Sequence, residues 1–290
     1  MEETNTIILK PPKTYIEQLE IYKSRGLIVN DENCAISTLK RFNYYRLRGY
    51  TLSLMENDTF KSNVKFKDIS DLYHFDMRLR ILLLSSIEYV EIAFRTHIAY
   101  LIAHSYGPLG YKNSNNFNNQ RYHSDFINKL EKLILESKEI FVAHHREKYN
   151  NNHPSWEAFE VLTFSSLSLL FKNLKTRDKK DISNEYYNGL PYEHIESWLH
   201  SLTVIRNTCA HYSRLFNRRL SIRPKMLRED HEHNINNNEL FSIIYNLKYL
   251  ITDKTQWESW VIQLEALIEE YNEVDIKLMG FPDEWKTIIK

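Results

Sequence analysis

The chain has 290 residues with 38 basic and 38 acidic side chains, and 42% of its residues are apolar. That length and composition suit a soluble globular protein of one large domain or two small ones, and zero net charge excludes a uniformly basic nucleic-acid binder while leaving room for a local basic patch. Two cysteines, Cys34 and Cys209, exclude a disulfide framework and a four-thiolate zinc site.

Six glycines and seven prolines are few for this length and favour long helices, because both residues are costly in helix interiors. The opening MEETNTIILKPPKTY lacks the apolar core of a signal peptide. No stretch approaches the roughly 18 consecutive apolar residues that span a bilayer. A cytoplasmic protein without a membrane partner is expected.

In chain order, residues 14–25 read as a short helix ending at Gly26, and Asp31 is placed to cap a second helix over 32–42. "NYYRLRGY" (43–50) combines tyrosines with arginines. It reads as a helix end packed on the core, with RNA stacking as the alternative. Residues 68–104 carry the longest helical pattern, with Asp68 or Ser70 as cap. Glu88, Glu91 and Arg95 align along its polar side at spacings of three and four. That alignment makes Glu88 and Arg95 candidates to support a nearby site.

Asparagine-rich breaks at 113–119, 149–154 and 234–238 read as loops. Between and after them, helices are expected over 121–148, over 155–174 with Ser155 as cap, and over 181–188 and 192–217. One or two more fill 239–279 and end at Gly280. No alternating strand is evident, so the expected class is all-α. The expected division is 1–60, 61–228 and 229–290: an N-terminal helical extension, a helical domain and a C-terminal helical segment packing on it.

Within the 192–217 pattern lies "RNTCAH" (206–211), an arginine and a histidine five positions apart. The spacing alone is weak, since random placement of 16 arginines and 12 histidines supplies about two such pairs at spacings of five to seven, and three exist. Context separates them. Arg146 and His153 flank an asparagine loop, and Arg228 and His233 bound a charged segment. Only Arg206 and His211 follow an amphipathic stripe, formed by Ile195, Trp198, Leu202, Ile205, Cys209, Tyr212 and Phe216. From His200 to Arg228 the chain then carries Arg206, Arg214, Arg218, Arg219, Arg223, Lys225 and Arg228 without one acid. This is a local electropositive strip suited to phosphate backbones.

The residue types suit metal-free RNA cleavage. Histidine moves a proton near neutrality, and a permanently charged guanidinium stabilises the crowded phosphate. Asn207 orients. No histidine set has the spaced carboxylate or thiolate partners of a metal site, and no cofactor is expected. On a straight helix Arg206 and His211 diverge by about 140°, which favours a site completed by a second copy of the chain. Two other readings stay open: a non-catalytic module that holds RNA, and an arginine–histidine contact that only knits a dimer.

"SWLHSLTVIRNTCAHYSRLFNR" (197–218) resembles the signature segment of the Abi-like abortive-infection proteins, the AbiD/AbiF group of the HEPN ribonuclease superfamily. "NYYRLRGY" (43–50), the block over 72–100 and the block over 141–171 resemble that family's other segments in the same order. The resemblance implies a HEPN-type helical bundle with N- and C-terminal additions. It also implies Arg206 and His211 as the catalytic pair with Asn207 beside them, and phage defence by RNA cleavage. RNA is the implied substrate, a noncoding RNA a further implied partner, and a homodimer the implied assembly. Arg214, Arg218, Arg219 and Arg223 are the expected RNA guides. One position departs from the family pattern: Ser165 follows Thr163-Phe164 where a glycine is usual, with an effect expected on packing alone.

Overall fold

The structure is a computed structural model that describes residues 11–290; the expectation that the chain opens without a signal core falls mostly outside that range. The described residues form thirteen α-helices, five 3₁₀ turns and one two-residue hairpin, so the all-α expectation holds. Contacts gather into two compact units, Met1–Met77 and Arg78–Lys290.

In the first unit, α1 (Tyr15–Ser24) opens on a capping box. Thr14 Oγ1 accepts from the Glu17 amide, and the Glu17 carboxylate accepts from the Thr14 amide. Helix α2 (Glu32–Arg41) is capped by Asp31 as expected. "NYYRLRGY" forms a helix of its own, α3 (Tyr44–Thr51). The ring of Tyr44 stacks on Tyr22, and the buried Tyr50 donates its hydroxyl to the buried Asp76 at 2.6 Å, while Tyr45 is exposed. The unexpected hairpin pairs β1 (Met55–Glu56) with β2 (Thr59–Phe60) across Asn57 and Asp58, both at positive φ. Asn and Asp tolerate that conformation; two-residue strands are too short to show alternation.

Helix α4 (Phe66–Tyr106) outruns the expected 68–104 at both ends. Neither expected cap precedes it. Asp68 lies within the first turn and its carboxylate accepts from the Lys65 amide at 2.8 Å, and Ser70 is a helical residue beside His74.

In the second unit the expected helix over 121–148 is two, α5 (Gln120–Glu136) and α6 (Ile140–Lys148). Ser137 separates them, its hydroxyl accepting from the Glu139 amide, the kind of local bond by which serine competes with the helix ladder. The expected 155–174 is also broken, into α7 (Ser155–Ala158), a 3₁₀ turn and α8 (Phe164–Asn173). Ser155 is not a cap: it follows Pro154 and donates to the Ala99 carbonyl at 2.9 Å. Thr163 caps α8 instead. Helix α9 (Thr176–Tyr186) starts five residues before expectation. It is followed by α10 (Tyr192–Ala210), α11 (Leu240–Leu250), α12 (Lys254–Glu270) and a short α13 (Trp285–Ile289) that the sequence reading left out. The helical pattern expected to run to Gly280 stops at Glu270, and Gly280 instead closes the 3₁₀ turn before α13 at φ +87°. A Cβ there would come within 2.6 Å of Glu239 Oε2.

The core of this unit is anchored by two tryptophans whose indole N–H groups find carbonyl partners. Trp260 donates to Leu82 at 2.8 Å, and Trp198 donates to Lys225 at 2.6 Å. Among the described residues no helix is long and apolar enough to cross a membrane.

His97 of α4 stacks on Tyr186 with ring centroids 3.6 Å apart and lies 3.3 Å from the Tyr187 hydroxyl. Burial lowers its pKa to about 4 from an ordinary 6.5. A depressed folded-state value means that the unfolded chain takes up the proton first. Stability from this ring is therefore present above about pH 6.5 and lost as pH falls toward 4. His97→Phe keeps the stack and removes the proton. Urea unfolding at pH 7.5 and 5 is expected to show the wild type losing up to about 2 kcal/mol more than the variant. Equal losses would mean that the ring is not held neutral.

Candidate active site

Helix α10 is positioned by its apolar stripe: Ile195, Trp198, Leu199, Leu202, Ile205 and Cys209 are all buried. The stripe predicts a helix through 217, but the helix stops at Ala210. The Tyr212 amide donates to the Cys209 carbonyl at 3.0 Å, and the Ser213 amide donates to the Thr208 carbonyl at 2.9 Å. These two bonds make a Schellman termination with His211 as the cap residue. The residue after the cap must be left-handed, and here it is Tyr212 at φ +56° instead of the usual glycine. A bulky side chain in that conformation stores roughly 1–2 kcal/mol of strain. Phe216 still reaches the core, from a loop.

The termination presents Arg206, Asn207 and His211 together at the exposed end of α10. Arg206 Nη1 lies 3.5 Å from Asn207 Oδ1. No hydrogen bond between Arg206 and His211 is present among the described residues, in keeping with their divergence around the helix. The Arg206 charge is felt by Glu91 on α4. Burial raises the Glu91 carboxyl above the usual range; Arg95 and then Arg206 oppose that rise, and Glu88 adds to it.

The charged row on α4 and the α10 terminus thus form one electrostatic cluster. Glu91, which aligns with Glu88 and Arg95 in the sequence, is the member of the row on which the Arg206 charge acts. Arg95 braces this row through its two terminal nitrogens, while its buried Nε has no hydrogen-bond partner. Its Nη2 lies 2.9 Å from both Glu91 Oε1 and the Leu162 carbonyl, and its Nη1 lies 3.5 Å from Glu160.

The basic segment after His211 sorts into two kinds of arginine. Arg214 folds onto its own loop, donating to the Phe216 and Asn217 carbonyls at 2.8 and 3.2 Å. Arg219 pairs with Glu239 and donates to Asn238 Oδ1 at 3.0 Å. Arg218, Arg219 and Arg223 are all exposed; Arg218 Nη1 lies 3.5 Å from the Arg214 carbonyl. The rival pair is not a site of this kind: the Arg146 guanidinium donates to the Ile134 carbonyl, while His153 is buried with Nδ1 2.8 Å from Glu157.

The family model described as Abi-like protein matches residues 37–217, more than half of the chain. The chain belongs to the Abi-like family. No curated protein and no solved structure gives a significant match. In this Abi-like chain the matched span closes just past the His211 cap and includes Arg206, Asn207 and Arg214. It stops before Arg218, Arg219 and Arg223.

Proposed function

We propose that this Abi-like protein is a cytoplasmic endoribonuclease of the HEPN type, in the AbiD/AbiF group, acting in abortive infection. The observation that carries the reading is the strained termination of α10. It sets an exposed arginine, asparagine and histidine at one helix end, with an uninterrupted basic segment beginning directly after them. Stored backbone strain is characteristic of functional positions. His211 moves the proton of the ribose 2′-OH or of the leaving oxygen. Arg206 stabilises the phosphate. Asn207 orients.

A single His211 supplies one proton-transfer group where the reaction uses an acid and a base. We therefore place the complete site in a homodimer, where a two-fold axis beside α10 brings together two copies of each residue. Cleavage of a labelled RNA is expected to continue in excess chelator, to stop when the cut site is 2′-deoxy, and to leave a 2′,3′-cyclic phosphate. Chelator-sensitive cutting, or cutting of the deoxy site, overturns this chemistry. Mixed dimers of wild type with His211→Ala, purified through two tags, are expected to be nearly inactive. Retention of half the wild-type rate would show that each protomer holds a complete site.

A further inference from the structure

Between α8 and α10 lies a groove of about 420 Å³. Its walls are two helical stripes. On α8, Ser165, Ser168, Leu169 and Lys172 share one face; on α10, Ser197, His200 and Thr203 do. The α10 stripe continues to Asn207, four residues beyond Thr203 and seven beyond His200, so that all three share one face. The groove therefore points at the α10 terminus. His200 sits about 10 Å from Asn207 along the helix axis.

The wall chemistry suits a nucleotide. Serine hydroxyls can donate to and accept from ribose and base edges. Leu169, 61% exposed, and the exposed His200 offer an aliphatic face and a ring face at the rim, the kind of surface on which an unstacked base lies. Lys172 and Lys225 carry charge for phosphates. Glu196 on the wall is paired with Lys179 at 3.0 Å, leaving Glu193 as the remaining acid, at the end away from Asn207.

The basic segment is also fastened here. The Lys225 amide donates to Ser197 Oγ at 2.9 Å, and its carbonyl accepts from the Trp198 indole. The chain that leaves His211 thus returns alongside α10. Ser165, expected to affect packing alone, is only partly buried and lies on this wall.

We infer that the α8–α10 groove binds the single-stranded RNA nucleotides flanking the cut, with His200 as the positioning residue that stacks a base. The inference rests on the ribonuclease reading. Its test uses the full-length His211→Ala protein, which binds without cutting, and a fluorescein-labelled single-stranded 20-mer carrying 4-thiouridine. Adding His200→Ala or Lys172→Glu is expected to weaken binding roughly tenfold, the scale of one lost stacking or phosphate contact. Cross-links are expected within 165–172 and 193–203. Leu169→Glu, at an exposed position that the fold does not need, serves where another variant misfolds, and carries the same expectation. Affinities within about twofold of the His211→Ala protein, with cross-links elsewhere, overturn the groove and leave the ribonuclease reading standing. A wild-type protein that neither binds nor cuts any RNA overturns both.

Discussion

Replacing His211 with alanine is expected to lower RNA cleavage by about 10²- to 10⁴-fold, the range for loss of a general acid or base, with RNA binding and fold retained. The fold tolerates the change because His211 holds the helix end through its backbone: its amide donates to the Asn207 carbonyl at 3.0 Å, a bond alanine keeps. Its side chain is exposed. Single-turnover cleavage, RNA affinity and thermal unfolding of the same preparation give the three readouts. Full cleavage by a folded His211→Ala protein would sink the catalytic role. Loss of cleavage with unchanged RNA affinity would remove the reading of this family member as a pure RNA-holding module. A dimer that falls apart in the variant would point to the arginine–histidine contact as a structural knot.

Trp198→Ala is expected to be the most damaging single change to stability. The indole is fully buried and its N–H bond to Lys225 fixes the start of the chain's return along α10. Truncating a buried tryptophan costs about 3–5 kcal/mol, which for a unit of this size lowers Tm by roughly 6–20 °C. Trp198→Phe separates packing from anchoring. It keeps most of the ring and loses the hydrogen bond, so its stability cost is about 1–2 kcal/mol. The Lys225 amide, held on Ser197 Oγ, is then expected to exchange hydrogen faster, and RNA affinity to fall with it. A Trp198→Ala protein with Tm within about 2 °C of wild type would mean that this indole does not anchor the unit.

The helices were legible where they follow a cap or a stripe. Asp31 marked a boundary because its side chain acts within a few residues, on the Cys34 amide. The breaks inside 121–148 and 155–174 were not legible. Both continue an apolar pattern across a serine or threonine whose competing bond decides the matter only once the fold is formed. The end of α10 was hidden for a sharper reason. Its stripe runs on through Tyr212 and Phe216, and the residue that reverses the chain is a tyrosine in a glycine's conformation. Pattern reading therefore extended the helix past the cap. Arg206, Asn207 and His211 are candidates by residue type and context, and the structure places them exposed near one end of α10. The division of the arginines was beyond reach. Arg214 and Arg219 look like Arg218 and Arg223 in sequence, and only the path of the loop and the position of Glu239 tell them apart.

The tight seat of Gly280 ties the tail of the chain to the electrostatics of its middle. The side chain crowding that glycine is Glu239, the same carboxylate that pairs with Arg219. A methyl group at 280 would displace the carboxylate, so that a steric lesion near the C-terminus would surface as an additional uncompensated cation on the segment leaving His211. Substitutions at positions 280 and 219 should then show epistasis: Gly280→Ala alone alters both stability and the salt dependence of RNA binding, whereas in an Arg219→Ala background the second effect vanishes. Arg219, Glu239 and Gly280 all lie beyond the span shared with the Abi-like family, so this coupling belongs to the segment that follows that span.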